Sequence, residues 1–261
     1  MSLRILVTGS HGQLGSCIRK IAASYPHIDF SFSTTTTLDI TKTSMVSKVF
    51  ENGNFNFCIN AAAYTNVEQA EKTPKPAFEI NGEGVKNIAE ACAKYQVTLI
   101  HISTDYVFDG EKNTPYTVDD AVGPINEYGK SKLAGEIHIQ ALLERYFIVR
   151  TSWLYSEFGH NFYKTIVRKA KEEDVLWVTE QEIGCPTDAN NLARFIIENL
   201  ILESKAYGVH HFTDGEVMSW YGFAKKIVDE LGVKVKVESK NYPTFAKRPK
   251  YSVLDIGVKQ P

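Results

Sequence analysis

Tyr128-Gly129-Lys130-Ser131-Lys132 sets a phenol and an ammonium four residues apart, so both fall on one face of a helix. An isolated phenol has a pKa of about 10 and is a slow proton partner at neutral pH. A neighbouring ammonium favours the phenolate and lowers that value. At an effective dielectric of about 20, unit charges about 4 Å apart attract by roughly 4 kcal/mol, enough to bring the phenol towards working pH. Tyr128 is therefore expected to act as acid and Lys132 to tune it. A second phrase, Gly9-Ser10-His11-Gly12-Gln13-Leu14-Gly15, follows the apolar run Ile5-Leu6-Val7 and leads into a helical stretch, Leu14 to Ser24. A strand that ends in glycines and turns into a helix gathers backbone N–H groups and a positive helix end at one point, which suits a pyrophosphate. A dinucleotide cradle with a Tyr–Lys pair points to hydride transfer with a tyrosine proton donor.

Other positions would complete such a site. The glycine spacing is Gly-x-x-Gly-x-x-Gly, looser than the Gly-x-Gly-x-x-Gly fingerprint, which usually has an acidic residue ending strand two to hold the ribose. Here Ser33 and Thr34 stand at that place, with no adjacent Arg or Lys. Nothing there repels a 2′-phosphate, so NADPH is expected, with NADH as an alternative. Asp39-Ile40 could meet the adenine, or Asp39 could cap a helix before Thr41. The small residues of Asn60-Ala61-Ala62-Ala63-Tyr64 would let a flat cofactor approach the backbone. His101-Ile102-Ser103-Thr104-Asp105 ends strand four, so Thr104 or Ser103 could hold a carbonyl oxygen as charge builds on it. A hydrolase built on Ser103, His101 and Asp105 is not expected, because the Gly-x-Ser-x-Gly elbow is missing.

Positioning these groups calls for a doubly wound α/β fold. Through residue 152, unbroken apolar strands alternate with amphipathic helices: Ile5–Thr8, Ile28–Phe32, Phe57–Ile59, Thr98–Ser103 and Phe147–Arg150. Such strands form a parallel sheet covered on both faces, with its crevice at their carboxyl ends. Residues 1–152 are thus read as a dinucleotide-binding, Rossmann-type domain, and 153–261 mainly as a smaller substrate lobe with chain crossings between the two. Within the latter, helices are expected at Asn161–Lys171, Asn190–Leu202 and Ser219–Leu231. Strands are expected at Val175–Val178, Val209–Thr213 and Val233–Val237.

At 261 residues, 43% apolar and 23% charged, the chain has the composition of a soluble globular protein. A net charge of −2 without a basic stretch argues against nucleic-acid partners, and no apolar run is long enough for a membrane span. Cys17, Cys58, Cys92 and Cys185 stand apart, as buried thiols of a cytoplasmic protein would, and no metal site is expected.

With these residues placed, the chain resembles the extended short-chain dehydrogenases/reductases, and within them the dTDP-4-dehydrorhamnose reductase family, which completes dTDP-L-rhamnose synthesis. The resemblance rests on Gly9–Gly15, Ile59–Thr65, Ile80-Asn81, Ile102–Gly110, Tyr128–Glu136, Arg150–Tyr155, Gly184–Thr187, Ser219–Tyr221 and Arg248–Asp255. It implies a nucleotide-sugar substrate and an NADPH coenzyme, and a homodimer and magnesium are compatible with it. It further implies that Tyr128 donates the proton, that Lys132 tunes it and holds the nicotinamide ribose, and that Thr104 polarises the ketone. Gly9, Gly12, Gln13, Leu14, Asp39, Ile40, Ala61, Ala63 and Tyr64 would line the coenzyme. Thr104, Asp105, Tyr128 and Trp153 would meet the sugar nucleotide, whose diphosphate would lie near Pro186 and Arg248. Gln181-Glu182 departs from the usual Asp-Gln. Two rival readings are a related nucleotide-sugar epimerase or dehydratase and a non-catalytic, reductase-like regulatory subunit.

Overall fold

The structure, a computed structural model, describes residues 2–203 and 206–257. Five strands, β1 (Leu3–Thr8), β2 (Ile28–Phe32), β3 (Phe57–Asn60), β4 (Thr98–Thr104) and β5 (Tyr146–Thr151), join the strand Gly208–His211 in one sheet. Every neighbouring pair is parallel, and the order from one edge is Gly208–His211, β5, β4, β3, β1, β2. The chain leaves β1 for β2 on one side and resumes with β3 on the other, so a ligand crevice is expected between the carboxyl ends of β1 and β3.

Helices α1 (Gln13–Ile21), α2 (Thr43–Gly53), α3 (Val67–Lys72), α4 (Pro74–Phe78), α5 (Val85–Tyr95) and α6 (Glu127–Leu142) connect the first five strands. Strand alternation divides the core. Ile5, Val7, Ile59 and Val149 face α1 and the helix Ala189–Phe195, while Leu6, Cys58, Leu99 and Ile148 face α2, α5 and α6. Burial on both sides is why these strands read as continuous apolar runs. Between α4 and α5 the helix widens into a π-helical turn, Glu79–Gly84. That turn aims Asn81, whose side chain accepts from the Tyr64 amide (2.8 Å) and donates to the Tyr64 carbonyl (3.0 Å) and to Ser131 Oγ (2.9 Å).

A third core holds the helices Phe162–Glu172 and Trp220–Leu231 against the paired strands Val175–Val178 and Lys236–Ser239. The strand expected at Val233–Val237 therefore lies a few residues later. Val233, Val235 and Val237 all pack on this core, but the ladder begins only at Lys236, so the alternation reported burial before pairing. The strand expected at Val209–Thr213 is Gly208–His211, and it extends the main sheet beside β5. No helix among the described residues is long and apolar enough to cross a membrane.

Candidate active site

The glycine phrase forms its turn because β1 runs against the end of β3. Gly9 has φ +62°, and a Cβ there would lie 2.6 Å from the Ala61 carbonyl oxygen, so neither the backbone nor the space admits a side chain. Gly12 occupies the N-cap of α1 without a side-chain cap, which leaves that positive helix end to an anion. The Ser10 amide donates to the Ser33 carbonyl (3.1 Å), and the Ser33 amide donates to Val7 (2.8 Å), tying this turn to the end of β2. A recess of about 180 Å³ opens here, lined by Gly9, Gly12, Asp39, Ile40, Ala61 and Ala63.

Gly12, Ala61 and Ala63 also border a larger cavity of about 580 Å³, joined by Gln13 and Leu14. Its opposite wall carries Thr104, Asp105, Tyr128, Lys132 and Trp153. Tyr64 lines neither space; its backbone is held by Asn81 instead. Asp39 Oδ1 accepts from the Thr41 amide (3.0 Å) and hydroxyl (2.8 Å). This is a local turn rather than a cap, since α2 begins at Thr43 behind Lys42.

Tyr128 is set by the start of α6. Asn126 caps the helix, accepting from the Gly129 amide (2.8 Å), and its Nδ2 donates to the Lys247 carbonyl (2.8 Å). A Cβ on Gly129 would lie 2.2 Å from the Tyr106 carbonyl oxygen; the glycine lets α6 press on the loop after β4. Tyr128 thereby meets Tyr106 edge to face, with ring centroids 5.8 Å apart, and hydrogen-bonds Thr104. The Thr104 hydroxyl also donates to Asp105 Oδ1 (3.0 Å).

The electrostatics differ from expectation. Burial pushes the Tyr128 phenol up to about 12, opposed by the Thr104 hydrogen bond and reinforced by the Asp105 charge. Lys132 does not lower it: its Nζ donates instead to the Ile102 carbonyl (2.6 Å), with His101 Nε2 at 3.4 Å. Burial brings Lys132 down to about 8, opposed by the charge of Glu136. His101 is held well below its ordinary value by burial and then by Lys132, so its ring is neutral; Asn60 Nδ2 lies 3.1 Å from its other nitrogen. Ser103 donates to Glu136, and Arg150 clamps the same carboxylate through Nε (3.1 Å) and a terminal nitrogen (2.7 Å). Ser103 and His101 are thus separately engaged and form no hydrolytic triad. Burial raises the Asp105 carboxyl to about 6.

The far wall comes from distant segments. Trp153 has φ +47°, strained for a residue with a side chain, and stacks on Trp220 with centroids 3.6 Å apart and planes 8° from parallel. Gly184 sits against the edge of the Trp153 indole. Gln13 spans the gap: its Oε1 accepts from Asn161 (2.8 Å) and Ser156 (3.2 Å). Arg248 lines a separate cavity of about 400 Å³, together with Glu182, Trp177, Tyr242 and Trp220. Its guanidinium pairs with Glu68 (3.0 Å), an engagement the sequence did not suggest.

Sequence reasoning gave no role to Trp220, which borders both cavities, nor to Glu136, whose buried carboxylate accepts from Ser103 and Arg150. It also missed Arg19. Nothing basic stands next to Ser33 and Thr34 in sequence, yet Arg19 of α1 lays its guanidinium over Phe32, 4.2 Å from the ring centroid, at the end of β2. Helix spacing from Gly12 was the available signal. Among the described residues, no group of three or more His, Cys, Asp or Glu could hold a metal ion.

Comparison with known proteins agrees with this architecture. The family described as the RmlD substrate binding domain matches residues 3–259. A dTDP-4-dehydrorhamnose reductase of Aggregatibacter actinomycetemcomitans is 40% identical, covering 97% of this chain and 90% of its own length. The crystal structure of a dTDP-4-dehydrorhamnose reductase from Clostridium acetobutylicum superposes with a TM-score of 0.93 at 41% identity, covering 98% of this chain and 91% of that one. The Bacillus anthracis dTDP-4-dehydrorhamnose reductase, solved in complex with NADP, gives a TM-score of 0.94 at 38% identity, with the same coverage of 98% and 91%. Sequence and fold agree, and the chain belongs to the dTDP-4-dehydrorhamnose reductase family.

Proposed function

We propose that this chain reduces dTDP-4-dehydro-L-rhamnose to dTDP-L-rhamnose in the cytoplasm with NADPH, NADH serving as a weaker donor. One observation carries the reading: the glycine cradle and the Thr104–Tyr128–Lys132 group line spaces that share Gly12, Ala61 and Ala63. The cradle fits a dinucleotide, because the glycine turn and small residues leave the backbone accessible at an uncapped helix end. When bound, the coenzyme supplies the hydride.

The chain's own residues do the rest. At neutral pH a phenol with its pKa at about 12 is fully protonated, which is the form a proton donor needs. Tyr128 passes that proton to the C4 oxygen of the sugar as charge develops there. The Thr104 hydroxyl, beside the phenol, holds the same oxygen and stabilises that charge. Lys132, charged below about pH 8, sets a positive field under the reacting centre and offers its remaining N–H bonds to the ribose. The Ile102 carbonyl holds that ammonium in place, and the charge of Glu136 favours its protonated form. Asp105 and Trp153 bound the sugar, and the lobe around Pro186 and Arg248 receives the nucleoside diphosphate, where a planar guanidinium suits phosphate oxygens. In this reading residues 1–152 serve chiefly the coenzyme and 153–261 chiefly the sugar nucleotide.

The test is turnover of dTDP-4-dehydro-L-rhamnose with NADPH, followed by loss of coenzyme absorbance and identification of dTDP-L-rhamnose as product. Absence of turnover with this substrate, alongside reduction of another nucleotide sugar, would replace the substrate and keep the chemistry.

A further inference from the structure

We infer that Arg19 reads a phosphate on the adenosine ribose and so sets the preference of this chain for NADPH over NADH; this rests on the coenzyme reading above. In a sheet of this kind the adenosine ribose lies at the carboxyl end of β2, where an acidic residue selects the free hydroxyl and an arginine accommodates a phosphate. β2 ends at Phe32, and residues 31–38 run Ser-Phe-Ser-Thr-Thr-Thr-Thr-Leu, without a carboxylate.

The positive charge at this corner arrives from α1. The Arg19 guanidinium stacks over the Phe32 ring, 4.2 Å from its centroid, and one terminal nitrogen donates to Ser10 Oγ (3.2 Å). Ser10 is wholly buried and tied by its amide to Ser33, so the anchor is rigid and the guanidinium stands where the glycine turn meets the end of β2. Arg19 has no ion-pair partner among the described residues, whereas neighbouring Lys20 is bound to Glu157 (2.6 Å). Hydroxyls complete the corner: Thr34 Oγ1 and Thr36 Oγ1 are 2.8 Å apart, and Thr35 lines the recess that holds Asp39 and Ile40. A pre-oriented guanidinium with unused donors, bonded to one buried hydroxyl and without an ion-pair partner among the described residues, matches a phosphate monoester.

Isothermal titration of the whole chain without coenzyme tests this, with NADPH, NADH, 2′,5′-ADP and 5′-AMP as probes. Arg19→Met keeps an apolar stem on Phe32 and removes the charge. It should weaken NADPH and 2′,5′-ADP by about tenfold or more, the loss of one charge-assisted bond, and leave NADH and 5′-AMP within about twofold. Arg19→Lys should restore part of the loss, and added salt should erode NADPH affinity in the wild type more than in Arg19→Met. An Arg19→Met chain that binds NADPH as the wild type does, or loses NADPH and NADH equally, overturns the inference while the coenzyme reading stands. A wild-type chain that binds neither dinucleotide overturns that reading and this inference with it.

Discussion

On the sheet side of the cavity, Tyr128 and Lys132 ride on a helix capped by Asn126, pressed home at Gly129 and clamped at its base through Glu136, Ser103 and Arg150. On the lobe side, Trp153 stands in left-handed backbone and stacks directly on Trp220, while Gln13 of α1 bonds Ser156 and Asn161 nearby. The first wall is held by buried, directional hydrogen bonds, each of which leaves an unsatisfied group if its partner is removed. The second is held by aromatic contact, which is less directional and tolerates small shifts. Chemistry needs the first kind of wall, where an error of an ångström separates donor from acceptor. Recognition of a bulky ligand can use the second, which can adjust as the ligand enters.

This contrast breaks most readily at the phenol. Tyr128→Phe removes one oxygen, so turnover should fall by about 10²–10⁴ while NADPH affinity measured by titration stays unchanged. Turnover within a few-fold of wild type would take Tyr128 out of the proton step and leave the sheet wall without its chemical purpose.

The next largest effect is expected at Lys132. Burial lowers its pKa to about 8, so the ammonium is present below that pH and lost above it. Turnover per bound coenzyme should therefore decline as pH rises through about 8. Glu136→Gln removes the charge that opposes this lowering, and the alkaline limb of the pH profile should move to lower pH. A limb that stays in place in Glu136→Gln would show that the clamp shapes α6 without acting on Lys132.

At the lobe wall, Trp220→Ala should raise the KM for the sugar nucleotide and leave NADPH affinity unchanged. Loss of the stacked pair should also lower stability by about 1–3 kcal/mol in denaturant unfolding. Destabilisation with an unaltered KM would make the pair a packing device between segments. The smallest effect is expected for Asn126→Ala, which removes a cap worth about 1 kcal/mol. It should lower the melting temperature slightly, and because it frees the start of α6 it should reduce kcat more than KM. Equal effects on both would weaken the distinction between the walls.

The sequence by itself determined what is local or periodic. Apolar runs marked β1, β3, β4 and β5, since strands buried on both faces are largely apolar, and the alternation of Ile28, Phe30 and Phe32 with Asp29 and Ser31 marked the edge strand β2; helical spacing put Tyr128 and Lys132 on one face. The glycine turn was legible because its requirements, positive φ and close backbone approach, are written in single residues. Tertiary structure decided what depends on neighbours from afar. It turned Lys132 towards the Ile102 carbonyl and raised the Tyr128 pKa by burial, against the expected lowering, because desolvation depends on everything packed around the ring. It brought Arg19 to the end of β2, paired Arg248 with Glu68, and gave the strand Gly208–His211 to the main sheet. None of these contacts leaves a short-range pattern, since each joins residues whose spacing along the chain bears no relation to their distance in space.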